Sequence, residues 1–353
     1  LEDRIRSAAA ALEQVPDFLK TLDRALTESL SSHIVDMSVE SYAGMARFYR
    51  VDLAAATQSV GDPDIAKDFT RTLDTAAASL DRFVERLKSR AGKGEEGFAI
   101  GPSLYAGMLA TGEGLETPLS DIAAVGQANL ADNLARIKDV AATISPGKPV
   151  AAIVEYIGRN HPTAQSLIGD TRDLLETIRQ ALIDLDVISM PSEDRCQVIE
   201  TPAYMRYAFA AMDSAGALET KATESFYYVT PVEEDWNDTQ REQWLSNFNY
   251  ETLKVISVHE VYPGHFVHNL HNRYGRPLPL INRAATSYAF SEGWAHYTEQ
   301  MMLETEYGAG QPTLLLTQLL EALVRNCRFV CSIRMHTKGM TVDEATKFFM
   351  GNA

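Results

Sequence analysis

Apolar positions recur at steps of three and four along most of this chain, the spacing of one face of a helix. Ile5, Ala9, Leu12 and Val15 share such a face, and Pro16 punctuates it. Phe18, Leu19, Leu22, Leu26 and Leu30 continue a second helix, and a longer one runs across Ser38–Ser59. The turn residues Gly61-Asp62-Pro63-Asp64 open a further stripe of Phe69, Leu73, Ala76, Leu80, Phe83 and Leu87. Gly92–Gly97 is rich in glycine and charge and is the expected hinge or nick site. Thr117-Pro118-Leu119-Ser120 opens a helix that runs to Ile144 and closes at Ser145-Pro146-Gly147; Pro162–Leu185 reads as another. Between Val198 and Trp236 the pattern changes. Phe226-Tyr227-Tyr228-Val229-Thr230 is aromatic and β-branched, ends at Pro231, and predicts a strand in a small sheet. Trp244–Glu260 returns to helix. Tyr288–Leu303 predicts another, with Phe290, Trp294, Tyr297 and Met301 as its apolar stripe. No internal repeat is visible. The expected class is mainly α with one small β-sheet, in four regions: helical 1–97, helical 98–197, strand-containing 198–245, and a helical core at 246–353.

Composition narrows the partners. At 353 residues and 45% apolar content the chain can bury a large core. A net charge of −16, with no run of Lys or Arg, argues against a nucleic acid. No stretch of 18 apolar residues offers a membrane span. Cys327 and Cys331 stand four apart on an expected helix and read as buried thiols rather than a bridge or zinc ligands. With three cysteines in all, an intracellular location is slightly favoured; a secreted or periplasmic one fits if a signal peptide has been removed.

The chemistry is concentrated late. Six of the eight histidines stand at or beyond position 259 (259, 265, 268, 271, 296 and 336). His259-Glu260 is followed by Val261-Tyr262-Pro263-Gly264-His265, and later by Ser291-Glu292-Gly293-Trp294. Two imidazoles, a carboxylate beside the first and a carboxylate on another helix are the inventory of a catalytic zinc site with a general base. The spacing is unusual. Histidines at i and i+6 of a regular helix lie about 120° apart around its axis. Pro263 clashes with the carbonyl four residues back, and Gly264 can adopt dihedrals closed to other residues. The reading is therefore a helix through Tyr262, a break at Pro263-Gly264, and His265 swung back toward the metal. Gly293 would permit close approach at Glu292, and Glu299 would orient a ligand histidine. His265 with His268 forms a competing i, i+3 pair. His271 reads as a surface or supporting residue, and His296 as a core or functional one.

HEVYPGHF followed by SEGWAHYTEQM resembles the signature of the domain-of-unknown-function 885 family, bacterial proteins grouped with the gluzincin metallopeptidases. Phe98–Leu109, Thr117-Pro118, Thr201–Arg206 and Arg334–Thr337 extend the similarity over most of the chain. The resemblance implies a zincin-like helical fold, zinc on His259, His265 and Glu292, and Glu260 as base. It also nominates His336 as oxyanion donor, with Tyr288 and Arg334 behind it. In gluzincins a strand can border the cleft and pair with a peptide, a role open to Phe226–Thr230 beside that of an ordinary strand. Relatives run on past the position of Ala353, Leu1 is not an initiator methionine, and Val342–Met350 still reads as helix. The chain is thus expected to be a fragment, without a tyrosine-bearing C-terminal segment that the family places near substrate.

The leading expectation is zinc-dependent hydrolysis of peptide bonds by a metal-activated water, with Glu260 as general base and peptides as substrates. Two alternatives remain at this level. Two histidines and one carboxylate also make the facial triad of a non-haem iron oxygenase, and a catalytically inactive metal-binding protein would need the same ligands.

Overall fold

The computed structural model describes residues 1–26, 29–92, 97–275, 277–285 and 287–353. Most of the expected loop at Gly92–Gly97 lies outside these. The chain forms two compact units: Leu1–Phe98 with Thr201–Phe209, and Ala99–Glu200 with Ala210–Ala353.

Apart from an isolated bridge between Leu30 and Ala91, the regular structure among the described residues of the first unit is helical. It comprises α1 (Glu2–Leu12), α2 (Val15–Ala25), α3 (Ser32–Phe48), the single turn α4 (Ala54–Ala56) and α5 (Pro63–Ser89). α5 is its spine. Asp62 caps it by accepting the N–H groups of Asp64 and Ile65, with Pro63 at the first helical position, as the sequence order predicts. The first half of its stripe, Ile65, Phe69, Leu73 and Ala76, packs with Ile5 and Leu12 of α1. Ala77, Leu80, Phe83 and Leu87 continue it against Leu19 of α2 and Val35 and Ala46 of α3. Two expectations need correction. The long helix expected to reach Ser59 leaves α geometry after Phe48, where Tyr49–Leu53 forms a π-helical turn. Phe18, placed on the apolar face, is 63% exposed. At Gly44 an added Cβ would lie 2.9 Å from the Tyr204 Cα, so glycine lets the 3₁₀ turn Ala203–Met205 lie directly on α3.

The second unit begins with α6 (Gly101–Glu113), α7 (Leu119–Ile144), α8 (Val150–Gly158) and α9 (Leu167–Asp184). α9 starts five residues after the expected Pro162, because Thr163 and Ser166 exchange side-chain to backbone hydrogen bonds in a turn. Three short strands follow, β1 (Gln197–Glu200), β2 (Ala210–Asp213) and β3 (Phe226–Val229), in the order β1-β3-β2. β1 runs parallel and β2 antiparallel to β3. The remainder is helical: α10 (Asp238–Asn247), α11 (Tyr250–Glu260), α12 (His265–Tyr274), α13 (Leu280–Ala284), α14 (Tyr288–Leu303), α15 (Pro312–Lys338) and α16 (Val342–Asn352). The class is mainly α with one small sheet. The single helix expected over Trp244–Glu260 is two. Asn249 accepts the N–H groups of Glu251 and Thr252 and starts α11 afresh.

α7 and α15 pair along a core of Leu130, Ile137, Ala141, Leu316, Leu319, Leu323 and Cys327, extended by Ile153 and Ile157 of α8. Cys327 of this core and Cys331 one turn on are buried free thiols, as expected. Replacing Leu319, 1% exposed, by alanine should cost about 2–5 kcal/mol in urea unfolding. α11 is buried from Thr252 to His259, apart from Lys254. It packs against α9, α14 and α15, and β2 also touches it. This burial fixes the helix that carries the first candidate ligand.

Candidate metal centre

α11 ends at Glu260, two residues sooner than expected. The chain then folds tightly through Val261–Gly264. Val261 and Tyr262 both donate to the Ser257 carbonyl (2.9 and 3.1 Å), and Gly264 N–H returns to that of Val258 (3.0 Å). The Tyr262–Pro263 peptide is cis. A Cβ at Gly264 would lie 1.6 Å from the His259 carbonyl oxygen, so only glycine permits this approach. His265 is consequently the first residue of α12, and its ring meets that of His259 edge-to-face at 4.9 Å. Trp294 pins the turn from α14 by donating its indole N–H to the Pro263 carbonyl (3.1 Å).

Glu292, on the second turn of α14, faces both rings. Its Oε2 lies 3.5 Å from His259 Nε2 and its Oε1 3.5 Å from His265 Nε2. Ligand atoms about 2.1 Å from a shared tetrahedral ion lie about 3.4 Å apart, whereas a good N–H···O hydrogen bond is nearer 2.9 Å. The separations are longer than a good hydrogen bond, and one ligand atom from each of the three residues lies within 4.8 Å of the others. Among the described residues, His259, His265 and Glu292 are the one group of three that could hold a metal.

The electrostatics agree with that donor set. The two facing imidazoles hold the Glu292 carboxyl well below the usual carboxylate range, against the effect of burial. Burial disfavours charge on His259, but Glu292, Glu299 and Glu260 outweigh it and push the group up to about 9. The centre thus attracts positive charge.

Behind His259 stands Glu299, whose side chain is fully buried. It accepts from His259 Nδ1 (2.8 Å), which leaves Nε2 directed at Glu292. Its other neighbours are Arg325 (2.9 Å), His296 Nδ1 (3.3 Å) and Gln318 (3.4 Å). Burial alone would raise this carboxyl, but His259, His296 and Arg325 hold it down at about 2. Ser291 stands 3.3 Å from His265 Nδ1. Glu299→Gln should lower zinc affinity about 10–100-fold while the fold stays intact, measured by chelator competition.

Glu260 points to the sheet, where its Oε2 accepts the Met212 N–H at 2.9 Å. Burial pushes its carboxyl up against the pull of His259 and His265.

Several expected roles are not supported. His336 is outside the cluster: its ring stacks on Tyr105 of α6 at 5.5 Å. Arg334 reaches Gln127 and covers the Phe348 ring, and Tyr288 is exposed. His268 packs against Phe290 rather than joining His265 as a ligand, and His271 contacts the Ser189 carbonyl. The stripe on α14 is also displaced. Phe290 and Tyr297 are 61% and 53% exposed, and the buried face is Ala295, Thr298, Glu299 and Met302. A Cβ on Gly293 would meet nothing within 4 Å, so no close approach explains that glycine. The strand expected over Phe226–Thr230 is observed as β3 (Phe226–Val229), paired on both sides, so its backbone has no free edge to pair with a peptide. Sequence reasoning missed Arg325, Gln318 and the Met212 N–H. The first two show as polar positions seven apart on apolar α15; a backbone donor leaves no sequence signal.

The fold is shared with two solved structures. One is titled as that of a "putative lipoprotein of unknown function" from Shewanella oneidensis: TM-score 0.70, 20% identity, 99% of this chain and 65% of that one covered. The other is a "putative lipoprotein" from Colwellia psychrerythraea: TM-score 0.78, 16% identity, 100% and 64% covered. The chain therefore spans just under two thirds of either protein. A search of curated proteins found no match. A family described as "Bacterial protein of unknown function (DUF885)" matches over residues 1–353. The chain belongs to the DUF885 family. The intracellular leaning drawn from the cysteines finds no support among the solved structures similar to this DUF885 chain. No helix of its described residues is long and apolar enough to cross a membrane.

Proposed function

We propose that this chain carries the catalytic centre of a zinc-dependent peptide hydrolase. The observation behind this reading is the convergence of His259, His265 and Glu292, one ligand atom from each lying within 4.8 Å of the others, with Glu260 next to the first of them. A zinc ion held by these three groups would supply Lewis acidity, lowering the pKa of water and polarising a carbonyl. Glu299 keeps the His259 ring in the tautomer that offers Nε2 to the cation. Glu260 takes the proton of the attacking water and returns it to the leaving amine. Support for an extended peptide as substrate comes from β2, an edge strand that reaches the base through Met212. No oxyanion donor is assigned. The lipoprotein descriptions of the similar structures support a place at the cell envelope.

The test is metal content together with the products from a mixed peptide library. About one zinc per chain and chelator-sensitive cleavage are expected. Iron with dioxygen-dependent turnover would replace this reading with an oxygenase. Bound zinc without cleavage would replace it with an inactive metal-binding protein.

A further inference from the structure

The small sheet has a polarity that bears on the base. Gln197 N–H donates to the Ser225 carbonyl at 2.8 Å. Backbone groups alternate sides along a strand, so Ser225, Tyr227 and Val229 turn theirs toward β1, and Phe226 and Tyr228 toward β2. On β2 the residues opposite Phe226 and Tyr228 are Asp213 and Ala211. The backbone groups of those two face inward, and those of Ala210 and Met212 face outward along the edge. The bond from Met212 N–H to Glu260 agrees with this assignment.

Among the described residues this is the only hydrogen bond made by the Glu260 carboxylate. Glu260 is the last residue of α11, where the chain leaves the helix for the ligand-bearing turn. Its side chain has three torsions, and among the described residues no other hydrogen bond holds them. The strand that supplies the donor is itself held: Tyr228 hydroxyl donates to Asp213 (3.2 Å), and Ala215 N–H to the Ser225 hydroxyl (3.3 Å). A peptide N–H also has the right chemistry. It orients a carboxylate without a full positive charge, which would weaken the carboxylate as a base.

We propose that the outward-facing peptide N–H of Met212 is the positioning group for Glu260, so that the edge of the sheet aims the base at the metal centre. This rests on the reading of Glu260 as the base.

Met212→Pro tests it. Proline removes the N–H, and an edge strand tolerates it where that N–H faces outward. Ala211→Pro is the control, because its N–H faces β3 and belongs to the ladder. Met212→Pro should keep zinc affinity within about threefold and leave the melting temperature near that of the parent. On a cleaved peptide, kcat should fall about 10–100-fold with little change in KM, the signature of a misplaced group. A crystal structure of the zinc-free variant should show Glu260 displaced from the strand. Unchanged kcat would overturn the proposal, as would losses of stability and zinc affinity matching those of Ala211→Pro. If the parent cleaves no peptide, the hydrolase reading fails, and the crystal structure still decides the positioning claim. Glu260 displaced supports it, and Glu260 in its original place overturns it.

Discussion

Gly264→Ala is expected to abolish zinc binding and to destabilise the second unit by more than about 4 kcal/mol. The added methyl carbon would sit 1.6 Å from the His259 carbonyl oxygen and 2.5 Å from that of Val258. Both are backbone atoms at the end of a buried helix, so no side-chain rotation relieves the overlap. Either α11 must unwind at the residue that carries the first ligand, or the start of α12 must move away with the second. Both routes separate His259 from His265. Urea unfolding and chelator competition measure the two effects. Tight zinc binding by the variant would show that the turn can open without losing the site. Gly293→Ala makes the contrast. Its Cβ meets nothing, and alanine is the better helix former by about 0.8–1 kcal/mol, so that change should be neutral or stabilising.

Glu260→Gln is expected to reduce turnover about 10²–10⁴-fold with zinc affinity nearly unchanged. The amide keeps the shape of the carboxylate, and its oxygen can still accept the Met212 N–H. What it lacks is the capacity to take a proton. Steady-state kinetics on a cleaved peptide and zinc titration separate the two roles. Loss of zinc would make Glu260 a ligand, and unchanged kcat would remove it from the chemistry.

The convergence of His259, His265 and Glu292 was legible because each part of it has a local sequence cause. A histidine spacing that no straight helix can serve was followed by Pro263-Gly264, the pair able to break one. The small side chain predicted at the turn is the very feature the packing requires. Glu292 lay on a helix whose start at Tyr288 follows from Ser287 capping it. The helix orientation was not legible. The aromatic spacing of α14 points to one face, yet the buried face is organised around Glu299. This carboxylate is stabilised inside by His259, His296 and Arg325, partners spread over three helices. Periodicity counts apolar residues and cannot register a buried charge whose compensation comes from elsewhere. The place of His336 was not legible either: its ring stacks on Tyr105, far away in sequence. In the sheet, the strand was readable from composition, but which strand lies at the edge depends on pairing order.

The excursion of Thr201–Phe209 into the first unit means that one cut cannot divide this protein into its two units. Cleavage after Phe98 would produce an N-terminal piece and a C-terminal piece that still carries the Ala203–Met205 turn seated against Gly44 and Phe48. The pieces would stay associated through packing native to the first unit, as in fragment complementation. Expressed separately, the short piece would show a bare groove on α3, and the long one would trail Tyr204 without its partners.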